Sequence, residues 1–186
     1  FKDTYILEPG RVFVSPFDLN IEQGQIEHPL KPMIRFGTTV VDMRGNKRGI
    51  VLLNYFGAKL IHALNQSISD SSDSFILLNS KGYWLKGMKK EDEWGFMYQK
   101  RKNLTLAQRF PDAWEIISSR KEGQFINDQG IYTFATVWPI GRNMLSSTGS
   151  SDAFKASESI VSEKDFYWKI VLLVTTEALN KRLITA

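Results

Sequence analysis

The chain has 186 residues, enough for one ordinary domain or two small ones. An apolar fraction of 42% and an aromatic fraction of 12% supply a core and exclude wholesale disorder. The formal charge of +4 is mild, and the absence of cysteine excludes disulfides, thiol catalysis and Cys-based zinc sites.

The first β-type run is RVFVSPFDLNI (11–21), broken at Pro16 and Asp18. EQGQIEHPLKP (22–32), with Gly24, Pro29 and Pro32, predicts a turn or crossing segment. PMIRFGTTVVD (32–42) and GIVLLNYF (49–56) predict a hairpin closed by MRGNKRG, because Gly45 and Asn46 tolerate positive φ. AKLIHAL (58–64) puts Leu60, Ile61 and Leu64 on one helical face. The polar NQSISDSSDS (65–74) is the best linker. SFILLNS (74–80) and GYWLKG (82–87) then predict a second strand pair around Ser80-Lys81-Gly82. LTLAQRFPDAWEIISSR (104–120) predicts helix, interrupted at Pro111, with Asp112 as cap of the second piece. GQFINDQGIYTFATVWPI (123–140) predicts a hairpin turned at 127–130. The Ser-rich stretch 141–164 is too weakly apolar to offset the cost of ordering, which predicts a mobile, exposed insertion. DFYWKIVLLVTTEAL (165–179) closes with a strand and a short helix.

Two segments share one order. The first has strand (33–42), turn, strand (49–56), helix (58–64). The second has strand (131–140), insertion, strand (166–174), helix (176–183), and IVLL recurs at 50–53 and 170–173. This predicts a duplicated α+β unit with the linker near 65–73 between copies. The first copy lacks a counterpart of 74–120, which is expected upstream of residue 1. The opening FKDTYILEPG has no Met, basic start or apolar stretch of a signal peptide, and no run reaches the ~18–20 apolar residues of a membrane span. The chain therefore reads as a piece of a longer polypeptide, with any anchor outside it.

The stretch VSPFDLNIEQGQIEHPLKPMIRFGTTVVDMRGNKRGIVLLNY resembles the end of the membrane-distal module in tandem (double) Cache sensors, the PAS-like extracytoplasmic domains of bacterial histidine kinases, chemoreceptors and diguanylate cyclases. The likeness is carried by Val14-Ser15-Pro16, Leu19-Asn20, Glu22, Gly24, Pro29, Pro32, Arg35, Thr39-Val40 and Gly45 to Gly49. One departure falls at Thr39, where a Thr-Pro pair is usual. FILLNSKGYWLKG followed by EWGFM resembles the opening of a membrane-proximal module. The resemblance implies an α+β fold of PAS-like (Cache) antiparallel sheets flanked by helices, with a ligand pocket on the sheet face away from the helices. Residues 1–66 would be the C-terminal part of the distal module and 67–186 the proximal module. It further implies a periplasmic location, receptor transmembrane helices and a cytoplasmic output domain in cis, and a homodimer in the full receptor.

No phosphate loop, G-x-S-x-G elbow or nucleic-acid patch is present. The basic runs KGMKK (86–90) and QKRK (99–102), split by EDE (91–93), read as solvated loop, with a phosphate-binding strip as the lesser alternative. His28 and His62 lack ligand spacing, so neither metal nor cofactor is expected, and the chain itself is not expected to be an enzyme. Arg35, between Ile34 and Phe36, either faces solvent or binds an anion. Trp84, Trp94, Phe96, Trp114, Tyr132, Phe134 and Trp138 cluster in the second copy, as core or as pocket lining. The candidate ligand residues are thus Arg35, Trp84, Trp94 and Tyr132. The expected function is a sensor domain that binds a small solute and relays a change through its last strand and helix. The alternative is a ligand-free spacer or a protein-interaction module in the same kind of receptor.

Overall fold

The computed structural model describes residues 2–67, 74–149, 157 and 159–184. In chain order come α1 (Lys2–Tyr5), β1 (Val12–Val14), β2 (Asp18–Leu19), β3 (Ile21–Glu22), β4 (Gln25–Ile26), β5 (Pro32–Val41), β6 (Lys47–Phe56) and α2 (Gly57–Gln66). After the linker come β7 (Ser74–Asn79), β8 (Trp84–Lys86), α3 (Leu106–Arg109), α4 (Pro111–Ser119), β9 (Glu122–Asn127) and β10 (Gly130–Val137). The rest is β11 (Met144–Ser147), β12 (Ile160–Val161), β13 (Trp168–Thr175) and α5 (Thr176–Ile184). The architecture is the expected α+β, PAS-like one. No helix among the described residues is long and apolar enough to cross a membrane.

Two compact units result: Phe1–Leu60 with Trp138–Phe166, and Ile61–Val137 with Tyr167–Ala186. The sequence suggested a division at 66/67. The contacts divide inside α2 and return 138–166 to the first unit.

In the first unit, β5 and β6 form the predicted hairpin. Asp42 closes it by accepting the backbone N–H groups of Arg44 and Asn46, each at 2.9 Å. On its other side β5 pairs with β1 and β2, and the sheet continues through β11 to β12. Glycine at 37 is required here. A Cβ there would lie 2.4 Å from the Thr4 hydroxyl oxygen and 2.8 Å from a Leu52 methyl, so its absence lets α1 settle on the sheet.

The expectation of a mobile insertion at 141–164 is corrected where residues are described. β11 pairs in parallel with β1, making this sheet mixed rather than wholly antiparallel. Ser146 and Ser147 are 0% and 3% exposed. The physical reason is local: the Ser146 hydroxyl donates to the Val14 carbonyl at 2.6 Å, so a small polar side chain is buried without a stranded group. Residues 150–156 and 158 of that expectation lie outside the described ones.

The second unit is a five-stranded antiparallel sheet in the order β8-β7-β13-β10-β9. Ile76, Leu78, Tyr132, Phe134, Val171 and Leu173 share one face, and Trp84, Leu106 and Ile117 join them in the core. Pro111 splits the predicted helix. Thr105 caps α3 by accepting the Gln108 N–H at 3.2 Å. Asp112 does not cap α4. Pro111 takes the first turn, where its missing N–H is least costly, and Asp112 follows it next to the positive end of the helix dipole.

Candidate functional site

Arg35 stands in the middle of β5, on the same face as Gly37. Its backbone is fixed by Ser15, which donates its N–H to the Arg35 carbonyl at 2.8 Å and accepts the Arg35 N–H on its hydroxyl at 2.9 Å. The guanidinium donates through Nη1 to Asp18 Oδ1 at 2.9 Å and through Nη2 to Asn20 Oδ1 at 2.7 Å. The Asn20 amide in turn donates to Glu27 at 2.8 Å, and Glu27 pairs with Lys31. Ser15, Asn20 and Arg35, recognised as motif residues along the chain, therefore meet in space. The Arg35 and Asp18 side chains remain 28% and 25% exposed, so the pair reaches solvent. Burial pushes the Asp18 carboxyl up to about 6, against the pull of the Arg35 charge and hydrogen bond.

The aromatic candidates belong to the second unit. Trp84, Trp94 and Tyr132 are 3%, 2% and 1% exposed. The Tyr132 ring stacks on Phe125 at 4.7 Å between centroids, and its hydroxyl donates to Gln129 at 3.2 Å. Trp94 adopts the left-handed conformation, uncommon for a bulky residue, and its backbone N–H donates to the Trp84 carbonyl at 2.7 Å. The structure thus gathers Trp84 and Tyr132 in one core, links Trp94 to Trp84, and leaves Arg35 in the other unit. Trp138, expected beside Tyr132, is 42% exposed. The acidic run is not all solvated loop. Asp92 is buried and held by the Arg109 fork, and Glu93 pairs with Lys86 at 3.1 Å.

Corresponding positions in the two units can be read from the strand-to-helix junctions, β6 into α2 and β13 into α5. Counting back from Phe56 and Thr175, Leu52 corresponds to Val171 and Ile50 to Lys169. The ladders then match Arg35 with Tyr132, Gly37 with Phe134 and Thr39 with Thr136. Each set lies on the face that carries α1 in one unit and α3 and α4 in the other. The resemblance implied a pocket on the opposite face, but Arg35 lies on the helix-bearing one. In the second unit Tyr132 and Phe134 fill these positions and are almost wholly buried. In the first unit Arg35 and Gly37 stand there, beside Leu52 at 50% and Phe56 at 52% exposure.

Sequence reasoning missed Asp18, read only as a strand breaker. The Asn20 signal was available in the motif, but its convergence on Arg35 depends on register. Among the described residues no cluster of His, Asp and Glu could hold a metal ion.

Comparison with solved structures agrees with this architecture. The extracellular domain of a protein described as a histidine kinase, vpHK1S-Z8, matches with a TM-score of 0.70 at 16% identity, over 98% of this chain and 56% of that one. A domain of a sensory box/GGDEF family protein from Vibrio parahaemolyticus matches with a TM-score of 0.69 at 16% identity, over 96% and 58%. The periplasmic sensory domain of the Campylobacter jejuni chemoreceptor Tlp1 matches with a TM-score of 0.56 at 14% identity, over 92% and 52%. The chain thus spans little more than half the length of these domains. No curated protein sequence matches it. The family model "Bacterial histidine kinase, sensor domain" matches residues 1–148, and the chain belongs to that family.

Proposed function

We propose that the chain is the solute-reading part of an extracytoplasmic sensor in a bacterial membrane receptor, with its ligand site on the helix-bearing face of the first unit at Arg35. The observation that carries this is a substitution between two like positions. Where the second unit buries Tyr132, the first holds a guanidinium oriented by Asp18 and Asn20 and still reached by solvent. Solute pockets are mostly apolar with a few fixed polar groups, and Leu52 and Phe56 supply the apolar part. On this reading the first unit is the membrane-distal Cache module. The second is the membrane-proximal one, which carries the change through β13 and α5 to a membrane segment and an output domain. A ligand acts only through its differential affinity for two states of the domain.

A thermal-shift screen with metabolites tests this. A true ligand stabilises by about 2.7 kcal/mol at a hundred times its dissociation constant. The expected result is a hit that is lost in Arg35→Met and retained in Trp94→Ala and Tyr132→Phe. Loss in the Trp94 and Tyr132 variants alone moves the site to the second unit. The absence of any hit favours the ligand-free spacer.

A further inference from the structure

The positive charge of this chain is concentrated in one loop region of the second unit. Residues 81–109 hold eight Lys and Arg against three Asp and Glu, a net +5, where the whole chain is +4. Two of the three carboxylates are used locally: Asp92 is held by Arg109, and Glu93 pairs with Lys86. Glu91 is the one exposed acid of the stretch. Lys81, Lys89, Lys90, Lys100 and Lys102 are all exposed, and none of them forms an ion pair among the described residues. Like charges gathered in this way repel one another, so folding alone gives no reason for the cluster.

The fold brings the two basic runs side by side. Single 3₁₀ turns carry them, at Lys90–Asp92 and Gln99–Arg101. Arg101 Nη1 donates to the Glu91 carbonyl at 2.9 Å, and its guanidinium lies 3.6 Å from the centre of the Tyr98 ring. The Tyr83 hydroxyl donates to the Lys102 carbonyl at 2.7 Å, which ties the second run to the β7–β8 hairpin next to Lys81. The lysines therefore stand on a backbone held at several points. Among them Met88 is 56% exposed. β7 is antiparallel to both β8 and β13, so β8 runs in the direction of β13. Lys86 is level with Ile170 through Leu77, and the chain after it heads toward the end of the sheet where β13 passes into α5.

We infer that this loop is a contact surface for the anionic phospholipid headgroups of the bilayer that carries the receptor. Lysines beside phosphate-bearing lipids gain electrostatic attraction, and an exposed apolar side chain among them enters the boundary between headgroups and acyl chains. An acidic soluble partner would meet the charges, but it leaves both the exposed Met88 and the direction of β8 without a role. The inference rests on the reading of the second unit as the membrane-proximal one and makes no use of the site at Arg35.

The test is co-flotation of the 186-residue protein with vesicles of one part phosphatidylglycerol to two parts phosphatidylcholine, beside vesicles of phosphatidylcholine alone, with no solute present. Binding is expected to the anionic vesicles only, and it should weaken severalfold as salt is raised from about 0.05 to about 0.3 M. Lys89→Gln combined with Lys90→Gln should lower the partition by about tenfold or more, and so should Lys100→Gln with Lys102→Gln, at about fivefold for each charge removed. Met88→Ser should lower it by about threefold. Arg44→Gln combined with Lys59→Gln removes two exposed cations from the first unit and should change it by less than about twofold. Unchanged thermal midpoints exclude misfolding as the cause. No flotation of the wild type at millimolar anionic lipid overturns the inference, and so does equal binding to neutral vesicles. An equal loss in the Arg44 and Lys59 variant also overturns it, because net charge and not this loop would then be at work. Capture of the wild type by immobilised poly-aspartate without vesicle binding overturns it in favour of an acidic macromolecule. Any of these failures leaves the ligand reading at Arg35 untouched, since no solute takes part.

Discussion

Each unit contains an antiparallel strand pair, β5 with β6 and β10 with β13, whose last strand runs into a helix, and the two pairs differ in what fills their helix-bearing face. In the second unit, positions 132, 134 and 136 hold Tyr, Phe and a Thr paired with Lys169, and the face is filled. In the first, positions 35, 37 and 39 hold Arg, Gly and an unpartnered Thr. The strands differ in cover as well. β13 is flanked by β10 and β7, whereas among the described residues β6 pairs only with β5, and Val51, Leu53, Tyr55 and Phe56 are exposed. A filled face stabilises a fold, and an incomplete face with fixed polar groups can discriminate between solutes. Substitutions at matched positions measure that division of labour.

The largest effect is expected from the filled face. Phe134 is 3% exposed, lies edge-on to Phe125 and packs among Tyr132, Val171 and Ile117. Phe134→Ala removes a large buried ring and leaves a cavity, at a cost of about 3–5 kcal/mol. Denaturant unfolding would show it as a lowered midpoint. A cost below about 1 kcal/mol would mean the second unit is loosely packed and able to admit a ligand.

Asp18 should give the second largest effect, with a definite sign. Its carboxyl is raised from 3.8 to about 6, so the folded state holds a proton that the unfolded state releases. Stability from this group is therefore present below the unfolded value and is lost as pH rises through about 6. The loss is at most about 3 kcal/mol, and partial exposure of the pair reduces it. Asp18→Asn should flatten the stability profile between pH 4 and 6, the window set by that shift. A wild type that gains stability across the same window would show the Arg35 attraction to be the larger influence.

Gly37 comes third. Gly37→Ala puts a methyl group against Thr4 and Leu52, and the overpacking should cost about 1–3 kcal/mol. The corresponding position in the second unit carries a phenyl ring. A neutral result would mean that α1 is free to lift from the sheet.

Much of the frame was legible in the sequence, because hairpins and helix breaks are local. Gly45 made the β5–β6 turn readable and does take positive φ, whereas Asn46 does not, and Pro111 marked the helix break. The repeat was legible in its order but not in its register. Counted from the helix junctions, the two IVLL tetrads are one residue out of step. Val171 and Leu173 face the helix-bearing core, whereas Ile50 and Leu52 do so in the first unit. Side chains alternate along a strand, so identical letters displaced by one point to opposite faces. The site was half legible. Arg35 stood out as a charge in an apolar strand, but Asp18 and Asn20 reach it only through pairing between β2 and β5. Nor could composition foresee β11, since a buried serine that bonds a neighbouring carbonyl looks like loop in sequence.

The smallest expected effect compares the two threonines directly. Thr136→Val removes a hydroxyl that bridges the Lys169 ammonium and the Lys121 carbonyl. Lys169 is held below the ordinary lysine range by burial, so losing one of its few partners should cost about 1–2 kcal/mol. Thr39→Val removes a buried hydroxyl with no partner in the ligand-free protein. Replacing it with a methyl group of similar shape should be neutral, or stabilising by up to about 1 kcal/mol. Paired thermal unfolding of the two variants, without ligand, reads the difference. If Thr39→Val costs as much as Thr136→Val, the Thr39 hydroxyl is already satisfied in solution, and the two faces are equally complete at that position. If Thr39→Val is neutral while Thr136→Val is costly, the Thr39 hydroxyl contributes nothing to folding, which is the contrast the two units predict.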